Sequence, residues 1–267
     1  MNSTPTLTAA PPVTPLGVTQ DGPVLHVRLN PSQTPDDSLG IAAIDALTAV
    51  LDTLHDRPDV RVLVLSSLGT DFCLGADRHE YQDSLAADPT GTALRRVADK
   101  AHRLCQALEN THAVTIARLH GKVVGAGLAL ASYCDLRAGA DTTRFRMPEV
   151  GLGLPPAWGG AMGRLVSELG MARIRELMLT SETFDAATAH RLGLLHKTAP
   201  LETLDDTITT WTRPLLRRSP EALVLTRRML TGYARADRTA DVSLLDAHLL
   251  TSMLTPSQAP AQEVVGR

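Results

Sequence analysis

The run from Val60 to Ser66 (VRVLVLS) constrains the fold more than any other stretch of this chain. Its aliphatic residues do not alternate cleanly with polar ones. Both faces of such a strand must be covered, which is the mark of a parallel sheet packed between helices. Val24 to Asn30 (VLHVRLN) and Ala113 to Leu119 (AVTIARL) read as further strands, and Thr143 to Met147 as a short one. Ile41 to Leu54 and Ala93 to Asn110 carry apolar residues at helical spacing between them. Alternating strands and helices predict an α/β fold with right-handed crossovers. The segment after Asp77 reads as a polar loop to about Gly91. From Ala161 the strand signal fades. Helices are expected over 161–169, 172–179, 185–191, 201–217, 219–234 and 239–254, with one short strand near 194–197. Residues 1–18 (rich in Thr and Pro) read as a disordered leader, 19–200 as the α/β core, and 201–267 as a helical C-terminal oligomerisation region.

Several function classes are excluded at this level. The formal net charge is −3 with no long basic run, so nothing points to nucleic acid. No apolar stretch approaches the roughly 18 residues of a membrane span. Cys73, Cys105 and Cys134 lack metal-ligand spacing, and an odd number of thiols points to a reducing, cytoplasmic setting. No metal site is expected.

Two turns and one acid hold the chemistry. Cys73-Leu74-Gly75-Ala76-Asp77 follows the strongest strand. Val124-Gly125-Ala126-Gly127 enters an apolar helix, where first-turn N–H groups are unpaired and can face an anion. Each turn alone is also compatible with ordinary strand-to-loop or helix–strand packing. Glu149 stands between Pro148 and Val150 in Gly/Pro-rich, apolar surroundings, where burial would raise its pKa toward that of a base working near neutral pH. Backbone donors plus a base are the equipment for enolate chemistry. Asp135, after an apolar run, reads as a backbone anchor.

Taken in order, FCLGAD, VTIARLHGKVVGAGLALASYCDL, FRMPEVGLGLPPAWGG and TSETFDAATAHRLGLLH resemble the crotonase, or enoyl-CoA hydratase/isomerase, superfamily across roughly residues 20 to 235. The resemblance implies a crotonase-type spiral of ββα units with a helical C-terminal region, assembled as trimers or hexamers. It implies an acyl-CoA or acyl-carrier-protein substrate, with no cofactor beyond the CoA or phosphopantetheine that the substrate itself carries. By motif position the oxyanion hole is formed by the N–H groups of Ala76 and Ala126, and the catalytic base is Glu149. Ala129, Pro156 and Trp158 are expected to line the substrate pocket, and Arg78 and His79 to meet the thioester arm or its phosphates.

Two departures shape the expectation. Family hydratases carry two glutamates; the second matches Glu149, but the first falls on Ala129, which cannot ionise. The usual cation after the first strand is replaced by LNPSQTPDD. The reading is therefore an enzyme that stabilises an enolate on an acyl thioester. Single-glutamate proton transfer would give double-bond isomerisation or dehydration, the latter including dehydratases of polyketide biosynthesis. The alternatives are classical hydration and a non-catalytic acyl-thioester-binding or assembly subunit.

Overall fold

The computed structural model describes residues 14–29, 37–236 and 243–254. A hairpin opens the fold, with β1 (Leu16–Asp21) antiparallel to β2 (Val24–Leu29). The described structure thus begins inside the stretch expected to be a leader, because Leu16, Gly17 and Val18 are held in register against Leu29, Arg28 and Val27. Residues 1–13 lie outside the described residues.

After β2 come α1 (Ile41–Thr53), β3 (Val62–Ser67), α2 (Arg78–Ala87), α3 (Thr92–Asn110), β4 (Val114–Leu119), β5 (Lys122–Val124), α4 (Ala126–Ser132), β6 (Leu136–Ala140) and β7 (Arg144–Arg146). The chain continues through α5 (Ala161–Leu169), α6 (Met171–Thr180), β8 (Phe184–Asp185), α7 (Ala186–Arg191), β9 (Lys197–Ala199), α8 (Leu204–Leu216), α9 (Pro220–Ala236) and α10 (Asp246–Leu254). The large sheet has the order β1-β2-β3-β4-β6-β9, parallel from β2 onward. β3 sits near its middle and is buried at every position. Leu63 and Leu65 join the main core, whereas Val62 and Val64 pack on the opposite face with Ile116, Leu204 and Ile208. Cover on both faces is why VRVLVLS carries no polar alternation.

A second, smaller sheet runs β5-β7-β8. Two isolated parallel bridges, Leu39 with Ala76 and Cys73 with Val123, extend its line across the molecule. Each turn of the spiral therefore gives one strand to the large sheet and one short row to the small one: β4 then β5, and β6 then β7. The short rows matter most for function, because Ala76, Ala126 and Glu149 each stand just beyond the C-terminal end of one of them.

The structure corrects the expectation of a loop over 78–91, since residues 78–87 form α2. Asp77 caps it, with Oδ1 accepting from the N–H groups of His79 at 2.8 Å and Glu80 at 3.2 Å. No residue of α2 is fully buried, so there was no apolar period to read. The strand expected near 194–197 lies at 197–199; Leu194 and Leu195 turn into the core instead. The helix expected over 239–254 begins as a short 3-10 turn at Ser243 and becomes α10 at Asp246; residues 237–242 lie outside the described residues.

The C-terminal helices are locked on by buried arginine. Arg227 of α9, 8% exposed, donates from Nε to Asp135 Oδ2 at 2.6 Å. Its other nitrogens cap the end of α3 at the carbonyls of Leu108 (2.8 Å), Glu109 (3.0 Å) and Thr111. The same Asp135 oxygen accepts from Thr115 N and Oγ1, so this carboxylate anchors backbone as the sequence suggested. Arg227→Ala would take one of three donors from the half-buried Asp135 and the guanidinium from three carbonyls, and leaving buried acceptors unsatisfied costs roughly 1–3 kcal/mol. The expected result is a loss of that size in urea unfolding; a loss below about 1 kcal/mol would show that water replaces the guanidinium freely.

Candidate active site

The site is built where two turns meet. In the first, Leu39 N–H donates to Gly75 O at 2.7 Å and Asp77 N–H donates to Leu39 O at 3.2 Å. A parallel bridge that uses the groups flanking Ala76 turns the N–H of Ala76 itself to the opposite side. In the second turn, Val124 N–H donates to Cys73 O at 2.9 Å and Gly125 N–H to Arg146 O at 3.0 Å. Ala126 is then the first residue of α4, so its N–H has no partner within the helix. The turns are pressed together: a Cβ placed on Gly127 would lie 2.6 Å from Cys73 Cβ. Only glycine lets α4 start this close to the first turn. Ala76 and Ala126 thereby face one cavity of about 100 Å³, which both residues line.

Glu149 closes the cavity from a third side. It follows β7 and begins a short 3-10 turn over Val150–Leu152. Its carboxylate lies against Gly125, where a Cβ would stand 2.9 Å from Glu149 Oε1. Gly125 itself has φ +50 and ψ −114, a backbone reserved for glycine. Glu149 Oε2 is buried with no hydrogen-bond partner in the protein. Burial pushes this carboxyl above its ordinary range, with only a weaker opposing pull from its own backbone N–H. A carboxylate held this way is a stronger base than one in water. Among the described residues lining the cavity it is the one carboxylate.

The remaining walls come from Leu74, Arg78, Tyr81, Pro148, Leu152, Leu154, Pro155, Ala157, Trp158 and Leu250. Of the expected residues, Arg78 and Trp158 line the cavity. Three expected residues do not. Pro155 rather than Pro156 faces the cavity, because Ala157 N–H donates back to Pro155 O at 2.8 Å and turns the next peptide away. Ala129 lies one helical turn below Gly125, 5% exposed and packed in the core behind the lining. His79 is exposed in the first turn of α2 and is not part of the wall.

Tyr81 and Leu250 were not anticipated. Tyr81 is three residues beyond Arg78 and shares its helix face, a relation invisible while 78–91 read as a loop. Leu250 comes from α10, far along the chain. Two more buried polar atoms in this wall, the Tyr81 hydroxyl and Trp158 Nε1, lie against each other and have no other hydrogen-bond partner in the protein. Burial pushes the Tyr81 phenol well above its usual range, and the Trp158 N–H pulls the other way. Tyr81 stays protonated at all ordinary pH values.

The family model for enoyl-CoA hydratase/isomerase matches residues 20–263, and the chain belongs to that family. It is 32% identical over 187 residues to echA8 of Mycobacterium bovis, assigned as an enoyl-CoA hydratase, covering 70% of this chain and 69% of the relative. It is 30% identical over 219 residues to the peroxisomal Delta(3,5)-Delta(2,4)-dienoyl-CoA isomerase of Arabidopsis thaliana, covering 79% and 78%. Among solved structures, a Thermobifida fusca YX protein crystallised with acetoacetyl-CoA superposes with a TM-score of 0.75 at 28% identity, covering 88% of this chain and 94% of that one. The crotonase fold and the helical C-terminal region expected from the sequence are both present. Among the described residues no helix is long and apolar enough to cross a membrane.

Proposed function

We propose that this crotonase-family enzyme moves a proton at the second carbon of an acyl-CoA thioester. Glu149 takes or returns the proton, while the N–H groups of Ala76 and Ala126 hold the thioester oxygen as it becomes an enolate. The observation that carries this reading is the unpartnered, buried Glu149 Oε2 in a cavity shared with both turns. Donors fixed before reaction at the site of developing charge act strongly in a dry pocket, and losing one typically costs about 10²–10³ in rate.

A single carboxylate suffices to move a proton between carbons, as in double-bond isomerisation, which makes that the first reading. Dehydration, and its reverse, water addition, share one transition state and call for further groups around the water. Ala129 is buried behind the wall, and among the described residues lining the cavity Glu149 is the one acid. The direct test offers the protein 3-butenoyl-CoA, 3-hydroxybutyryl-CoA and crotonyl-CoA separately. Isomerisation of 3-butenoyl-CoA should exceed the interconversion of crotonyl-CoA and 3-hydroxybutyryl-CoA, whose two directions one site catalyses in a ratio fixed by equilibrium; faster interconversion would overturn the isomerase reading in favour of dehydration or hydration.

A phosphopantetheine arm on a carrier protein, as in polyketide biosynthesis, is the second reading. The acids of LNPSQTPDD, where family members carry a cation for the CoA nucleotide, favour it. Comparing turnover of one acyl group on CoA and on carrier protein separates the two. His79, exposed beside Arg78, would meet a phosphate only outside the cavity.

We further propose that the chain assembles as a homotrimer or hexamer. Leu225, Met229 and Tyr233 recur every four residues on α9 and are exposed together with Leu230. An apolar stripe of this kind marks an interface. Light scattering at micromolar concentration should give at least three times the chain mass; a stable monomer would contradict the assembly.

A further inference from the structure

A buried carboxylate holds α10 against the site. Asp246, at the start of the helix, accepts from Gly160 N–H at 2.9 Å. Gly160 follows Trp158 and Gly159 in the loop before α5, and Tyr133 grips the same loop by donating from its hydroxyl to Gly159 O at 3.0 Å. Neither glycine leaves slack. A Cβ on Gly159 would stand 2.5 Å from Cys105 Sγ, and one on Gly160 would stand 2.9 Å from Ser243 Cβ. The loop that gives Ala157 and Trp158 to the wall is thus wedged between α3 and the segment leading into α10. One helical turn beyond Asp246, Leu250 enters the wall of the cavity. It packs with Leu94, Ala98 and Ala157, so apolar side chains and not water lie behind it.

We propose that α10 sets the length of acyl chain the site accepts, with Leu250 as the stop and Asp246 as the residue that positions it. The inference rests on the reading that an acyl thioester reacts beside Glu149 in this cavity. The cavity holds about 100 Å³, less than the roughly 150 Å³ of an apolar cavity that takes benzene. A longer chain must therefore displace part of the wall. Leu250 is the most deeply buried leucine of that wall, at 5% exposed, whereas Leu152 is 46% exposed. Shortening Leu152 would widen an open edge. Shortening Leu250 would extend the cavity inward, toward Leu94 and Ala98. α10 has nine residues, too few to be stable alone, so its seat depends on contacts such as that of Asp246 with Gly160.

The test is titration calorimetry with butyryl-CoA and hexanoyl-CoA, saturated thioesters that carry no double bond to move. Each methylene that finds apolar cover is worth about 4-fold in affinity, so an unrestricted pocket would favour hexanoyl-CoA by about 16-fold. Wild-type protein should bind hexanoyl-CoA no tighter than butyryl-CoA. Leu250→Ala frees the space of an isopropyl group and should favour hexanoyl-CoA by at least about 10-fold. Asp246→Ala should shift the ratio the same way by at least about 3-fold. Asp246→Asn, whose amide oxygen still accepts from Gly160 N–H, should keep the ratio within about 2-fold of wild type. A wild type that already prefers hexanoyl-CoA by about 16-fold would overturn the inference, and that measurement needs no variant to fold. So would a ratio unmoved by Leu250→Ala, or an Asp246→Ala protein that loses both ligands equally. Failure of the proton-transfer reading would show instead as undiminished turnover by Glu149→Gln, on which these binding ratios do not depend.

Discussion

Glu149→Gln is expected to lower kcat by about 10²–10⁴-fold while leaving the fold intact. The amide is nearly isosteric and enters the same gap beside Gly125, but it cannot accept a proton. Two pH effects accompany this loss. In the wild type, kcat/KM should fall on the acid side with a midpoint above the ordinary glutamate value of 4.5, because burial raises the carboxyl. Stability moves the other way. As pH rises past 4.5 the unfolded chain ionises at Glu149 before the folded one does, so the folded state loses stability until its own raised pKa is passed. A glutamine at this position carries no such penalty. The variant should therefore melt at or above the wild-type temperature at pH 8, even though it is inactive. A variant that keeps activity within a few-fold of wild type would remove Glu149 from the chemistry. A clear drop in melting temperature would show the site to be structural instead.

Gly125→Ala should nearly abolish activity by a different route. At φ +50 and ψ −114 any side chain is strained, at roughly 1–3 kcal/mol for such backbone outliers. The added Cβ would also stand 2.9 Å from Glu149 Oε1. The carboxylate would have to shift, and the start of α4, with the Ala126 N–H, would shift with it. Base and donor would be displaced together, and misplacement of about 1 Å can cost on the order of 10²-fold in rate. Steady-state kinetics should show the loss in kcat rather than in KM alone, accompanied by a lower melting temperature. Near-normal kcat would mean that the second turn does not set the position of the carboxylate.

The legible parts of this protein were those whose physics is local. β3 announced its double burial in an unbroken aliphatic run. Glu149 was conspicuous as an acid among Gly, Pro and aliphatic neighbours, and the two turns around Ala76 and Ala126 declared themselves by small residues after a strand and before a helix. What escaped was set by distant partners. β5 and β8 have three and two residues, and their existence depends on the rows beside them. α2 is held by an Asp77 cap and by Glu80, whose carboxylate accepts from Ile41 N–H at 2.6 Å; neither leaves an apolar rhythm. Missing α2 concealed Tyr81. Which of Pro155 and Pro156 faces the cavity is a matter of one peptide's direction, decided by the Ala157 to Pro155 hydrogen bond. Ala129 cannot ionise, and its place behind the wall follows from the packing of α4, every residue of which is buried.

Deuterium exchange at the second carbon of butyryl-CoA tests the central claim most directly, because it asks for proton transfer without requiring any knowledge of the natural acyl group. Wild-type protein in D₂O should wash label into that position, followed by mass spectrometry, and Glu149→Gln should slow the exchange by at least about 10²-fold. No label with the wild type, or equal labelling by both proteins, would contradict an enolate formed by Glu149 between the Ala76 and Ala126 N–H groups.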